Sequence, residues 1–213
     1  MRERVLFIAG STGVVGRALV EQAGARQVAI VPQVRPKRAA TGPVDPRAAV
    51  LDLGDGDALA EVLARCTTVV QPIGTMRKRF ETGDTYETSD VGTTAQLVAA
   101  ARRAGIDHFV LLSSVGAGSP RGACLKAKAR AEALVRDSGL PFTIFRPSML
   151  IGDDRGFPGA ETLGRLLRLE TYAPIRVESL AARLLHVALR RAPLGATLEG
   201  HSLWAEVREA TAS

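Results

Sequence analysis

The sequence predicts an α/β protein: a doubly wound parallel sheet with helices on both faces, in one domain spanning residues 1–213. Three observations predict it. Short apolar, β-branched runs alternate with amphipathic helical patterns along the whole chain. Runs such as Phe109–Ser113 are continuously apolar, as in strands covered on both faces. The first apolar run, Val5–Ala9, ends in three glycines spaced three apart (Gly10, Gly13, Gly16), and a helical pattern rich in Ala, Val and Leu follows.

The elements follow in order. Strands read at Arg4–Ala9, Gln27–Val31, Ala48–Asp52, Thr68–Gln71, Phe109–Ser113 and Phe142–Arg146. Helices read at Val14–Ala23, Asp57–Ala64, Tyr86–Ala104, Leu125–Ser138 and Val177–Arg190. The helix ending at Ala104 has a stop signal, with Arg102 and Arg103 in its last turn and Gly105 beyond. Leu97, Ala100, Ala101 and Ala104 give it a core stripe. The Pro/Gly/Ala-rich stretch Pro36–Pro46 reads as a surface loop within a crossover. No repeat, low-complexity tract or linker interrupts the pattern.

Composition narrows the function classes. The chain has 213 residues, enough for one large domain, and 46% are hydrophobic, which argues against disorder. No apolar run approaches the roughly 18 residues of a membrane span. Arg2 and Arg4 precede only a short apolar run with no cleavage-like ending, so no leader is expected. Net charge is +6, but the clusters Arg35–Arg38 and Arg77–Arg79 are short and only 4% of residues are aromatic, so no nucleic-acid partner is expected. Cys66 and Cys124 form no CxxC, which points to a reducing, cytoplasmic setting. The expected partner is a small-molecule substrate, with the chain a monomer or a homodimer.

The segment Gly10-Ser11-Thr12-Gly13-Val14-Val15-Gly16 is a strand–turn–helix corner of the kind that holds a dinucleotide pyrophosphate. The first glycine permits the turn, the second lets backbone approach phosphate, and the third lets helix and sheet pack closely. Helix N–H groups and the positive helix end face the anion. A selector is expected after the second strand. For NAD(H) it is an acid, yet Val28–Arg38 contains none and offers Arg35, Lys37 and Arg38. A guanidinium binds a 2′-phosphate that a carboxylate repels. The expected cofactor is therefore NADP(H) over NAD(H), with Arg35 as first candidate. Asp52-Leu53 would lie beside the adenine, with Asp52 either accepting from its amine or capping the next helix. Pro72-Ile73-Gly74 ends the fourth strand, where Gly74 either lets backbone pass close to the cofactor or makes a plain turn. Ser113 and Ser114 close the fifth strand at the ligand rim.

These residues together resemble the atypical short-chain dehydrogenase/reductases, which include NmrA-like and Tat-interacting-protein-like oxidoreductases. The resemblance runs from Val5 to about Leu203. It rests on GSTGVVG at Gly10–Gly16, FVLLSSVGA at Phe109–Ala117, CLKAKARAEALVRDSGLPFTIFRPS at Cys124–Ser148 and PIRVESLA at Pro174–Ala181. It implies a Rossmann-type fold and hydride transfer. It also implies that Lys128 holds the nicotinamide ribose, that Ser114 (or Ser113) orients the substrate oxygen, and that Pro147 and Ser148 meet the nicotinamide amide. The family's acid–base Tyr falls at Cys124. Three readings stay open: a reductase whose acceptor takes its proton from water, Cys124 as donor, or a cofactor-binding regulator without turnover. As a fourth, Cys124 is simply a small apolar helix residue. Met149, Leu150 and Ile151 wall the nicotinamide or belong to the core. The insert Gly152–Glu170, within a segment of about 148–176, reads as a substrate lid. Asp153, Asp154, Arg155 and Phe157 there name no substrate, and Glu161, Arg165 and Arg168 read as a solvated face. His108, His186 and His201 join no triad or metal set.

Overall fold

The computed structural model describes residues 3–74, 85–152 and 171–211. Its strands are β1 (Leu6–Ile8), β2 (Ile30–Val34), β3 (Ala49–Val50), β4 (Thr68–Gln71), β5 (His108–Leu112), β6 (Phe142–Arg146), β7 (Leu150–Ile151), β8 (Ile175–Arg176) and β9 (Ala196–Glu199). Its helices are α1 (Val14–Ala25), α2 (Pro36–Ala39), α3 (Gly56–Leu63), α4 (Thr93–Ala104), α5 (Gly122–Arg136), α6 (Val177–Arg190) and α7 (His201–Thr211). Seven strands pair in parallel in the order β3-β2-β1-β4-β5-β6-β9, and β7 pairs with β8 alone. The expected doubly wound parallel fold is present. The order reverses between β1 and β4, and in such sheets ligands bind in the crevice beyond the strands' carboxyl ends at that point.

Alternation along the strands sends side chains to two cores. Leu6, Ile8, Val70, Val110 and Leu112 face α1 and α6, where Leu19, Leu180 and Leu184 are fully buried. Phe7, Val69, Phe109 and Leu111 face the other way, onto Leu59 and Leu63 of α3, Leu97 of α4 and Val135 of α5. Both faces of the sheet are therefore apolar, which explains why the strands read as unbroken hydrophobic runs.

Several boundaries differ from those predicted. The second strand runs Ile30–Val34, not Gln27–Val31. Gln27 has φ +53° and belongs to the turn after α1, and Pro32 sits within the strand, paired with Ile8. Pro32 is tolerated because pairing with β3 begins only at Gln33. The helix predicted over Tyr86–Ala104 opens as a π-helical turn, Glu87–Gly92, before α4 begins. Its stop is as expected: Gly105 adopts φ +66°, with Arg102 and Arg103 in the last turn. The short strands β7, β8 and β9 and helices α2 and α7 were not anticipated. The predicted lid residues Gly152–Glu170, apart from Gly152, and the cluster Arg77–Arg79 lie outside the described residues.

His108 is fully buried in β5, with Nε2 2.9 Å from Thr143 Oγ1. Burial first, and the charge of Arg191 second, push its pKa down to about 4. It is a neutral core histidine at physiological pH.

Candidate functional site

The corner after β1 is built from backbone. Gly10 has φ +66°, and the Gly13 N–H donates to its carbonyl at 3.0 Å. A Cβ on Gly16 would lie 2.3 Å from that same carbonyl oxygen and 2.8 Å from Ser11 Cα, so only glycine lets α1 start so close to the loop. Ile73, after β4, packs beneath the turn: a Cβ on Gly10 would come within 2.7 Å of its Cγ1. Gly13 caps α1 without a side chain, so the first N–H groups of this 12-residue helix have no side-chain acceptor. Gly13 is exposed and Val14 is 58% exposed, whereas Val15 and Ser11 are buried. Uncapped donors at an open, positive helix end suit an anion. Thr12 lies between them, its carbonyl accepting from Arg17 Nη1 at 2.9 Å.

The loop is fastened to β2 by Gln33. Its Oε1 accepts from Gly10 N at 3.0 Å, its Nε2 donates to the Leu51 carbonyl at 2.9 Å, and its own carbonyl accepts from Ser11 Oγ at 2.7 Å. This buried amide joins three adjacent strand ends. Two residues later Arg35 forms the N-cap position of α2, and Arg35, Lys37 and Arg38 are all exposed. The basic cluster therefore begins two residues beyond the point where β2 is tied to the glycine loop.

Asp52 does not cap α3, which corrects one of its two predicted roles. Its Oδ1 accepts from Gly54 N at 2.9 Å in a local turn, and the cap is Asp55, whose carboxylate accepts from Ala58 N at 3.1 Å. Leu53 is 9% exposed and packs in the core behind that turn.

At the ends of β4 and β5 stands Lys128, on α5. Its Nζ is 2.6 Å from Asp90 Oδ1 and also donates to the carbonyls of Ile73 at 3.2 Å and Leu112 at 3.3 Å. Pro72 and Ile73 are half-buried, and Gly74 is exposed, where a Cβ would lie 3.2 Å from Lys128 Nζ. Cys124 lies one turn before Lys128 and is exposed. Ser114 is half-buried, its Oγ 3.4 Å from the Val115 carbonyl. Ser113 faces away from this group, since its Oγ donates to Glu132 Oε1 at 2.5 Å.

Glu132 is fully buried and collects four donors from Ser113, Arg146 and Arg136. Arg146 binds it through Nε at 2.8 Å and Nη2 at 2.6 Å, and Arg136 Nη2 lies at 2.8 Å. Burial raises the Glu132 pKa, but the bonds from Arg146, Ser113 and Arg136 outweigh it and hold the carboxyl below its ordinary value. Arg146 also reaches Glu199 Oε2 at 2.9 Å, and its pKa is raised further by Glu132. The network fixes the carboxyl end of β6 and so the chain that follows. There the buried Pro147 accepts from Val115 N at 2.9 Å, and Ser148 Oγ donates to the Ala173 carbonyl. Met149 is 70% exposed, so it is not core.

Four residues here were missed from the sequence: Gln33, Asp90, Glu132 and Arg17. Glu132 is the one polar residue on the otherwise buried face Ala127, Ala131, Val135 of α5, a signal the helical spacing does contain. Asp90 gave none, because the π turn shifts its register.

Among the described residues, no group of His, Cys, Asp and Glu could hold a metal ion, and no helix is long and apolar enough to cross a membrane.

A family model described as NAD(P)H-binding matches residues 10–189. The chain belongs to this NAD(P)H-binding family. Among curated proteins, this NAD(P)H-binding chain is 31% identical over 173 residues to an uncharacterized chloroplastic protein of Arabidopsis thaliana, an alignment covering 72% of this chain and 61% of that protein. The chain thus spans less than two thirds of that relative. Among solved structures it is similar to the oxidoreductase YlbE of Lactococcus lactis, with TM-score 0.71, 18% identity, and 98% of this chain and 97% of that chain covered. It is also similar to the enzyme WbmH of Bordetella bronchiseptica in complex with NAD+, with TM-score 0.68, 17% identity, and 92% and 75% covered. A putative epimerase of Burkholderia cenocepacia has TM-score 0.67 at 21% identity, with 100% and 82% covered. The NAD(P)H-binding domain on this Rossmann-type sheet fits an atypical short-chain dehydrogenase/reductase.

Proposed function

We propose that this protein is an NADP(H)-dependent oxidoreductase acting on a small carbonyl, quinone or flavin-like acceptor in a reducing compartment such as the cytoplasm. The observation that carries the reading is the corner at the ends of β1 and β2, where α1 starts without a side-chain cap, Gln33 ties the glycine loop to β2 two residues before Arg35, and Val28–Arg38 holds no carboxylate. The residues fit the cofactor: glycines leave the loop open, the start of α1 has no side-chain cap, and the exposed Arg35 carries the charge a 2′-phosphate needs. When bound, NADPH supplies a hydride. The protein's part is to hold the pyrophosphate at Gly13–Val15, choose the cofactor at Arg35, and keep Lys128 and Ser114 at the nicotinamide end. Backbone at Pro147-Ser148, braced by Arg146, lines the far side.

Arg35→Ala is expected to weaken NADPH binding about ten- to hundredfold, the worth of a charge-assisted bond, while changing NADH little. Titration of both dinucleotides checks this, and equal losses defeat the assignment of Arg35.

A second reading, an NADP(H)-binding regulator without turnover, is favoured by one observation. Cys124 stands where the family's proton donor would be, and Lys128 below it is already paired with Asp90. Following NADPH absorbance with quinones, flavins and aldehydes separates the two. The oxidoreductase is expected to consume NADPH with a quinone or flavin unmodified, because such acceptors take their proton from water. Tight cofactor binding with no consumption, before and after Cys124→Tyr, identifies the regulator.

A further inference from the structure

We propose that a second binding site, for a phosphate group, lies between α6 and α7 at the end of the sheet opposite the glycine corner. A cavity of about 160 Å³ opens there, lined by Arg183, His186 and Arg190 of α6, Ala192 and Pro193 beyond it, and Glu206 of α7. Its place follows from the chain. The Gly195 N–H donates to the Phe142 carbonyl at 2.7 Å, and Thr143 Oγ1 donates to the Pro193 carbonyl. Pro193 therefore sits at the amino ends of β6 and β9, whereas the glycine loop follows the carboxyl end of β1 in the same parallel sheet. The cavity has far more room than one water needs. The site is independent of the cofactor reading.

Arg183, His186 and Arg190 stand at i, i+3 and i+7 and so share one face of α6. Arg183 is 2% exposed and is the one charged residue among those that α6 buries. It is paired with Glu206, whose side chain keeps 21% of its surface exposed. Stability does not account for this pair, because apolar residues in place of a buried ion pair are often as stable or more so. Nor does the helix end: the dipole favours a cation in the last turn, where Arg190 lies, but Arg183 is two turns earlier. Arg190 Nη1 is 3.4 Å from His186 Nε2, and since a guanidinium only donates, the ring nitrogen accepts and steadies Arg190 at the cavity wall. Arg191, the next residue, turns instead to Asp107 at 3.1 Å. The lining thus carries two guanidiniums against one carboxylate, and an anion balances it. Two planar forks have more donors than a carboxylate's two oxygens can serve, whereas a phosphate spans both. Glu206 then competes with the phosphate for Arg183.

The test titrates the full chain with inorganic phosphate, against chloride at matched ionic strength, and follows the imidazole proton resonances. The chain has three histidines. His186 is expected to shift saturably, while the buried His108 and the exposed His201 stay in place. Arg190→Gln, at an exposed position that folding does not depend on, is expected to weaken phosphate about tenfold or more, as loss of a charge-assisted bond would. Glu206→Gln is expected to tighten it severalfold by removing the competing carboxylate. Acetate is expected to leave His186 unmoved. The proposal is overturned if phosphate does not move His186, if acetate acts as well as phosphate, if Arg190→Gln changes nothing, or if Glu206→Gln weakens binding. The glycine corner also suits phosphate, and Arg35→Ala separates the two. A response lost in Arg35→Ala and kept in Arg190→Gln belongs to the corner and overturns the second site.

Discussion

Gly16→Ala is expected to abolish useful dinucleotide binding and to lower stability by about 2–3 kcal/mol, the scale of forced overpacking. The added methyl would meet the Gly10 carbonyl oxygen at 2.3 Å and the Ser11 Cα and carbonyl carbon at 2.8 and 2.9 Å. All three are backbone, so no side chain can swing aside. The helix must retreat from the loop or the loop must open, and either moves Gly13, whose N–H is tied to Gly10. Donors that served one phosphate then no longer converge, and affinity should fall by roughly a hundredfold or more. Gly24→Ala in the same helix is the control. Nothing lies within 4 Å of its position, and alanine there should be neutral or stabilising by up to about 1 kcal/mol. Thermal melts with and without NADPH distinguish the two. A Gly16→Ala protein with unchanged melting and unchanged ligand shift would refute the account of the corner.

Glu132→Gln should be the most destabilising of the side-chain changes considered, by about 3–5 kcal/mol, because it leaves a buried guanidinium without its main counter-charge. Arg146 is 12% exposed and would retain only Glu199, which is 30% exposed. In a domain of this size that corresponds to a fall in melting temperature of roughly 10 °C. Acid should act along the same coordinate. The Glu132 pKa is held below its unfolded value of 4.5, so its contribution is complete above that pH and is lost as pH falls through the lowered value. The variant should therefore lose less stability than the parent on acidification below about pH 4.5. Replacing both partners, Glu132→Leu with Arg146→Met, removes the stranded charge and should recover much of the loss. Equal melting of parent and Glu132→Gln at neutral pH would contradict the network's importance.

The frame of the protein was legible because two signals coincide in its long elements. Thr68–Gln71, Phe142–Arg146 and Val177–Arg190 are bounded as the apolar periodicity implies, since burial on one or both faces sets their composition. The second strand misled because Pro32 and Gln33 look like a turn. Gln33 is polar yet buried because its amide serves the neighbouring strand ends, a demand that arises only in three dimensions. The short β9, flanked by Gly195 and Gly200, carries too few apolar residues to stand out from a loop. At the site, the glycine corner and the basic cluster depend on local spacing and could be read directly. Asp90 and Glu132 could not be paired with Lys128 and Arg146 by inspection, because those partners come from different elements brought together by the crossovers.

The outermost strand has a consequence for how the molecule is made. Arg146 and Arg136 find Glu199 and Thr197 only after β9 has joined β6, with partners separated by 53 and 61 positions along the chain. The glycine corner and its Gln33 fastening, by contrast, need little beyond the first four strands. On the ribosome the phosphate-binding half can mature early, while the edge of β6 waits, unpaired, for Ala196–Glu199. A chain stalled before Ala196 would offer that edge to any other strand in its vicinity, so synthesis interrupted there should favour aggregation.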